Sequence, residues 1–224
     1  MKKILLAILS LSVFLAACED PAANKPKATT SEPSTNKPAN TGNAGNTGNT
    51  ATAPAAKGEA LPITAANSSV HFVGSKVTGK HEGGFTMFAG TIDLVNGKPE
   101  ESTVSVDIDA NTVFADDPKL TEHLKSADFF DAAKFPKATF KSTQIAVGAK
   151  APDTHTVTGD LELHGQTKSI TFPATIAVTD DSVTVKAGFR INRKDFGIVY
   201  TGPADNLIRD DVALMLDVKA SRKK

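Results

Sequence analysis

Between residues 61 and 221, apolar and polar side chains alternate with a period of two. Val104, Val106 and Ile108 alternate with Thr103, Ser105 and Asp107, and Ile170, Phe172, Ala174, Ile176 and Val178 with Ser169, Thr171, Pro173, Thr175 and Ala177. Val157, Leu161 and Leu163 share one parity; so do Val183, Val185, Ala187, Phe189 and Ile191, and again Val212, Leu214, Leu216 and Val218. Such runs fit antiparallel sheet with one dry face, whereas strands of a parallel sheet are apolar on both. Adding residues 69–77, 85–95 and 138–147, the pattern predicts eight strands. Turn residues separate them at Gly83-Gly84, Asn96-Gly97-Lys98-Pro99, 148–153, Gly165 and Asp180-Asp181. One stretch, 117–125, reads as a helix, with Asp117 as its cap, Pro118 in its first position, and Leu120 and Leu124 facing the protein. Eight such strands and one short helix most economically close into an antiparallel barrel, because closure removes the sheet edges.

The pattern is different before residue 59. Met1-Lys2-Lys3 is a positive head, and Ile4 to Leu15 is a nearly unbroken apolar stretch. As a helix it would span roughly 18 Å, too short for a ~30 Å hydrocarbon core, so residues 1–17 read as a signal peptide. Leu15-Ala16-Ala17-Cys18 resembles the lipobox of bacterial lipoproteins, and Cys18 is the single cysteine of the chain. The resemblance implies acylation of Cys18 as the mature N-terminus, with two or three chains giving the stable anchoring that one cannot. Residues 19–58 hold no Val, Ile, Leu, Met, Phe, Tyr or Trp. The expectation is a disordered tether over 18–58 with an r.m.s. span of about 35 Å, and a folded domain over 59–224.

Composition narrows the function. The formal net charge is zero, which gives no support to nucleic-acid binding, and one cysteine excludes an internal disulfide and a thiolate zinc cage. Gly74-Ser75-Lys76-Val77-Thr78-Gly79-Lys80-His81 falls short of a phosphate-binding loop and reads as a hairpin connection. No two of the five histidines have a ligand spacing on a strand or helix, so no metal is expected. Motifs of serine hydrolases, zinc proteases and dinucleotide enzymes are absent, and no catalytic residue is assigned.

An eight-stranded barrel is just wide enough to be filled by its own side chains or to hold one small ligand. Its bore, roughly 25 Å long, suits an extended hydrocarbon better than a compact polar metabolite. By parity the inward residues are Phe72, Phe88, Ile92, Val106, Ile108, Leu161, Phe172, Ile176, Val185, Phe189, Leu214 and Leu216. Periodicity alone leaves a hollow and a filled barrel equally open.

Several blocks resemble one family. They are Val70-His71-Phe72-Val73-Gly74-Ser75-Lys76, Gly79-Lys80-His81-Glu82-Gly83-Gly84-Phe85, the run from His123 to Asp131, Lys134-Phe135-Pro136, His164-Gly165, and Ile191-Asn192-Arg193-Lys194-Asp195-Phe196-Gly197. In their order they resemble the YceI-like, polyisoprenoid-binding proteins. The chain departs from them at Leu120-Thr121-Glu122, where an Arg-Asp pair is usual, and in lacking an aromatic near Leu61-Pro62-Ile63. The resemblance implies a lipocalin-like barrel that holds a long isoprenoid or similar lipid without catalysis and without a cofactor. Lys76, His81, Arg193 and Lys194 are candidates to meet an anionic head group. Phe129-Phe130 reads either as a gate or as a packing plug. The competing expectation is a filled barrel acting as an interaction or stress-response module in the envelope. Glu19 after Cys18, where Asp would signal inner-membrane retention, points to the outer membrane facing the periplasm, with the plasma-membrane surface as the alternative.

Overall fold

The computed structural model describes residues 20–33 and 58–222; the signal-peptide and Cys18 expectations lie outside these residues. Twelve strands and one α-helix build the described chain. The strands are β1 Thr29–Ser31, β2 Glu59–Thr64, β3 Ser69–Lys76, β4 Gly79–Phe85, β5 Phe88–Leu94 and β6 Thr103–Asp109. They continue with β7 Val113–Ala115, β8 Lys137–Val147, β9 His155–Leu163, β10 Gln166–Val178, β11 Ser182–Asn192 and β12 Asp211–Ser221. All named strand pairs are antiparallel, in the order β2-β5-β6-β8-β9-β10-β11-β12-β3-β4-β7. The sheet curls until β2 packs beside β12, where Arg222 Nε donates to Glu59 Oε2 at 2.9 Å. Among the described residues the result is the antiparallel barrel with one helix that the period-two pattern implied, and it is lipocalin-like as the family resemblance implied.

The strand count differs from eight. β2 is short, and Pro62 at its centre obscures its alternation. The expected strand over 85–95 divides at Thr86-Met87 into the end of β4 and all of β5. Gly83-Gly84 is not a turn. Both residues lie inside β4, where a Cβ on Gly83 would run into the Phe114 carbonyl and the Phe72 ring, and one on Gly84 into the Val70 carbonyl. Glycine there lets β4 pass close to β7 and to the interior aromatics. Thr179–Ser182 forms the tight β10–β11 turn, with Thr179 N donating to the Ser182 carbonyl at 2.9 Å. The helix α1, Pro118–Lys125, is capped by Asp117, whose Oδ1 accepts from Leu120 N at 2.9 Å, and it buries Leu124.

The expected tether needs correction over residues 20–33. β10 pairs with β11 only from Thr175 to Val178, and the ladder ends within two residues of Pro173, which has no N–H to contribute. Beyond that point β10 and β11 diverge, and the N-terminal segment enters the seam. Ala28 N donates to the Arg190 carbonyl and Arg190 N to the Pro26 carbonyl, both at 2.9 Å, while Thr29–Ser31 pair antiparallel with Ser169–Thr171. Lys168 meets Glu32 at 2.7 Å. Ala22 and Ala28 are buried, Ala28 against the main core and Ala22 against Val73 and Ala213 on the outer face. Poor hydrophobicity argued for disorder, but an open strand edge recruits a segment through main-chain hydrogen bonds and needs only small side chains.

Candidate functional site

Each strand contributes its apolar parity to the barrel interior. Inward residues near the N-terminal strap, residues 20–33, and the β2 corner are fully buried, among them Leu61, Ile63, Ile170 and Phe189. Facing them, Val70, Val104, Val106, Ile108, Phe140, Leu161, Val185, Leu214, Leu216 and Val218 also point inward yet are only partly buried. Side chains inside a filled barrel would lose nearly all their surface, so the residual exposure lies along an internal void. That void includes a central chamber of about 140 Å³ walled wholly by Val, Ile, Leu and Phe. A second chamber of about 160 Å³ lies toward α1 and shares Val70, Ile108, Leu161 and Leu214 with the first. A small one of about 20 Å³ lies at the opposite end and shares Ile92, Val104, Ile145, Ile176 and Val185 with the centre. The three form a string along the barrel axis.

Eleven of the twelve parity-chosen residues, Phe88, Ile92, Val106, Ile108, Leu161, Phe172, Ile176, Val185, Phe189, Leu214 and Leu216, line the central chamber. Phe72 lines the second. Phe172 and Phe189 stack face to face, their ring centres 4.2 Å apart, and form a rigid wall. The central lining also includes Ile63, Val70, Val104, Phe140, Ile145, Val157, Ile170 and Val218. Most of these share strand parity with a chosen residue. Phe140 and Ile145 do not share a parity with each other, because the β8–β9 register shifts between Ser142 and Gln144 and re-aims the strand.

The second chamber is roofed by α1 and the segment after it. Leu124, Phe129 and Phe130 line it together with Phe85, Ile198 and Ile208. Phe130 meets Phe85 at 5.5 Å and Phe72 at 6.3 Å between ring centres, and Phe129 meets His123 at 4.9 Å and Tyr200 at 5.5 Å. The Phe129-Phe130 pair is therefore both lining and roof. Beneath it lies Arg193, among the described residues the one charged side chain on the chamber wall and 4% exposed. Its Nη1 donates to the Ile198 carbonyl at 2.7 Å, Nε to the Arg209 carbonyl at 3.1 Å, and Nη2 to the Ile208 carbonyl at 3.4 Å. Burial pulls the guanidinium below its ordinary value, and Asp210, 3.5 Å away, acts against that shift. Arg193 thus pins the loop over residues 198–210.

The other head-group candidates lie at the same end without converging. Lys194 pairs with Asp210 at 2.9 Å. His81 Nδ1 lies 2.8 Å from Asp116 Oδ1. Desolvation pushes the Asp116 carboxyl up, but the His81 contact and the Glu82 amide outweigh it and hold the carboxyl below its usual range. Lys76 has the inward parity of Phe72 and Gly74, one step nearer the rim, and makes no ion pair among the described residues. The five histidines are engaged separately, with the Gly83 carbonyl, Asp116, Asp128, Thr154 and the Phe196 carbonyl. Among the described residues no three His, Cys, Asp or Glu side chains gather as a metal site.

The sequence profile of the YceI-like domain matches residues 62–220. The chain belongs to that family. A UPF0312 protein of Pseudomonas putida is 37% identical over 139 residues, which is 59% of this chain and 71% of the relative. A UPF0312 protein of Pseudomonas fluorescens gives the same figures. Among solved structures, BcnA of Burkholderia cenocepacia superposes with a TM-score of 0.63 at 24% identity, covering 70% of this chain and 99% of BcnA. A polyisoprenoid binding domain from Saccharophagus degradans superposes with a TM-score of 0.59 at 18% identity, covering 75% of this chain and all (100%) of that domain. At these identities the solved structures establish the fold.

Proposed function

We propose that this protein is a non-catalytic carrier that holds the hydrocarbon chain of an isoprenoid-type or similar amphiphilic lipid along its bore. The observation that carries the reading is the string of chambers, whose lining in the described chain is aliphatic and aromatic but for Gly74, Pro99, Ser102 and a single charged residue, Arg193, at one end. An apolar cavity of roughly 150 Å³ stays dry and takes up a benzene-sized guest. Each of the two larger chambers is of that size, and they follow one another in line, so a slender chain fits better than a compact ring system. Fully buried, a five-carbon unit contributes up to about 4 kcal/mol at ~0.8 kcal/mol per carbon. A few units then exceed an association cost of roughly 4–15 kcal/mol. The structural neighbour from Saccharophagus degradans bears the polyisoprenoid-binding description, which adds support for the same chemical class of ligand here. The wall offers no paired nucleophile and base, so the role is sequestration or transport rather than turnover.

The rest of the reading concerns location. Cleavage after residue 17 and acylation of Cys18 would fix the carrier to the bacterial envelope, at the outer membrane on its periplasmic side. The test is organic extraction of protein purified from its own host, followed by mass spectrometry, with a parallel incubation of stripped protein with long-chain polyprenols. A stoichiometric lipid in the extract, or saturable uptake by the stripped protein, is the expected result. A barrel that yields no lipid and takes none up would refute the carrier and leave the filled-module reading.

A further inference from the structure

The strap does more than close the seam: it sets where the N-terminus leaves the barrel. Asp20 Oδ1 accepts from Ser75 Oγ at 3.3 Å and from Ala22 N at 3.0 Å, and Asp20 Oδ2 lies 3.7 Å from Arg209 Nη1. Ala22 is wholly buried against Val73 and Ala213, and its carbonyl accepts from Arg190 Nη1 at 3.3 Å. Ser75 stands two residues before the Val77-Thr78 turn of the β3–β4 hairpin. Cys18 is two residues ahead of Asp20, at most about 7 Å along an extended chain. An acyl group on Cys18 would therefore emerge at this rim, not at the end of a long leash.

The same rim carries an apolar tip. Val77 is 57% exposed, Val199 63% and Leu207 48%, three of the five large hydrophobic residues left exposed among the described ones. Val77 N donates to the Leu207 carbonyl at 3.1 Å and Thr78 Oγ1 to Asn206 Oδ1 at 2.9 Å, so the hairpin and the 198–208 loop are joined into one projection. Several charges around it are paired, Lys80 with Glu82 at 2.6 Å, Lys194 with Asp210 at 2.9 Å and Arg209 with Asp20, while Lys76, the residue before Val77, makes no ion pair among the described residues and is free to meet a lipid phosphate. An apolar-tipped edge beside an acylated N-terminus is suited to a lipid surface. We infer that the hairpin at Val77 and the loop at Leu207 dip into the bilayer interface and that the docked strap holds the α1-roofed end of the bore against the membrane. This rests on the Cys18 anchor of the proposed function and adds an orientation to it.

The chain contains no tryptophan, so single tryptophans report position without background. Full-length protein carrying V77W, L207W or V147W is purified from bacterial membranes and reconstituted in phosphatidylethanolamine–phosphatidylglycerol vesicles with brominated acyl chains. Val147, 69% exposed at the C-terminal end of β8, marks the opposite rim. The expected result is a blue shift and loss of most emission for V77W and L207W, with V147W unchanged. Adding A22D, which expels the strap from its seat, should return both rim signals to the V147W level while the protein stays on the vesicles. Equal quenching at the two rims, or none at either, would overturn the inference. The mass of the N-terminal peptide tests the anchor separately. If Cys18 proves unacylated, its thiol, the only one in the chain, is coupled to a maleimide-bearing lipid and the same comparison decides the orientation.

Discussion

Replacing Val106 by phenylalanine separates a hollow bore from a packed one. Val106 points inward from the middle of β6, is only partly buried, and lines the central chamber together with Phe172 and Phe189. In a close-packed interior an added ring forces its neighbours off their rotamers and costs roughly 1–3 kcal/mol. Here the ring enters a void of about 140 Å³, near the ~150 Å³ that accommodates a free benzene. The expected loss of stability is therefore below about 1 kcal/mol, offset in part by new dispersion contacts. The ring instead takes the place of roughly five chain carbons, about 4 kcal/mol at ~0.8 kcal/mol each. That corresponds to roughly a thousandfold weaker binding at 1.4 kcal/mol per decade. Urea unfolding followed by circular dichroism gives the first quantity, and displacement of a fluorescent long-chain probe gives the second. A stability loss of several kcal/mol with unchanged affinity would refute the reasoning, because it would mean that the space is already occupied by the protein itself.

Other perturbations test separate parts of the account. Arg193→Met strands three loop carbonyls in a buried setting, at about 1–3 kcal/mol for each group left unsatisfied. Hydrogen exchange should show the 198–210 loop opening, and Arg193→Lys should not restore it, since an ammonium cannot span the same fork; unchanged protection would contradict the pinning role. The Asp116 carboxyl is held below its ordinary 3.8 in the folded protein, so its contribution is present above that pH and lost as pH falls through the folded value. The acid limb of a urea-midpoint profile should accordingly be shallower in His81→Ala, and an identical profile would count against the His81 contact. Asp117→Ala removes the cap of α1, for about 1 kcal/mol and a melting temperature lower by roughly 2–4 °C; a shift within error would show that the helix is held by Leu124 packing alone. Gly83→Ala places a methyl against the Phe114 carbonyl and the Phe72 ring and should lower the urea midpoint by the equivalent of about 1–3 kcal/mol.

Period-two alternation made the walls of the barrel legible. Phe172, Ile176, Val185, Phe189, Leu214 and Leu216 face inward because each strand has one dry face, and a one-residue slip would turn them all outward. The capped helix was equally plain, as Asp117-Pro118 is a local signal that tertiary packing has no reason to override. Three features depended on contacts between distant residues. Gly83-Gly84 carries the composition of a turn, and only the approach of Phe114 and Phe72 explains it as strand. The β8 bulge changes which parity faces inward, so Phe140 and Ile145 could not both follow from alternation. The strap was hidden because its binding relies on main-chain groups and two alanine methyls, and on a seam that opens where Pro173 interrupts a ladder some 140 residues away in sequence. Whether the interior was hollow was likewise invisible: a filled and an empty barrel share one pattern, and only the residual exposure of inward residues such as Val106 and Leu214 distinguishes them.

The most direct measurement is a crystal structure of the protein grown with a long-chain polyprenol. The account predicts unbroken density running through the central chamber and on past Val70, Ile108, Leu161 and Leu214 toward the α1 end, with Phe172 and Phe189 against the chain. A bore closed by its own side chains, with the polyprenol absent or lying on the outer surface, would contradict it.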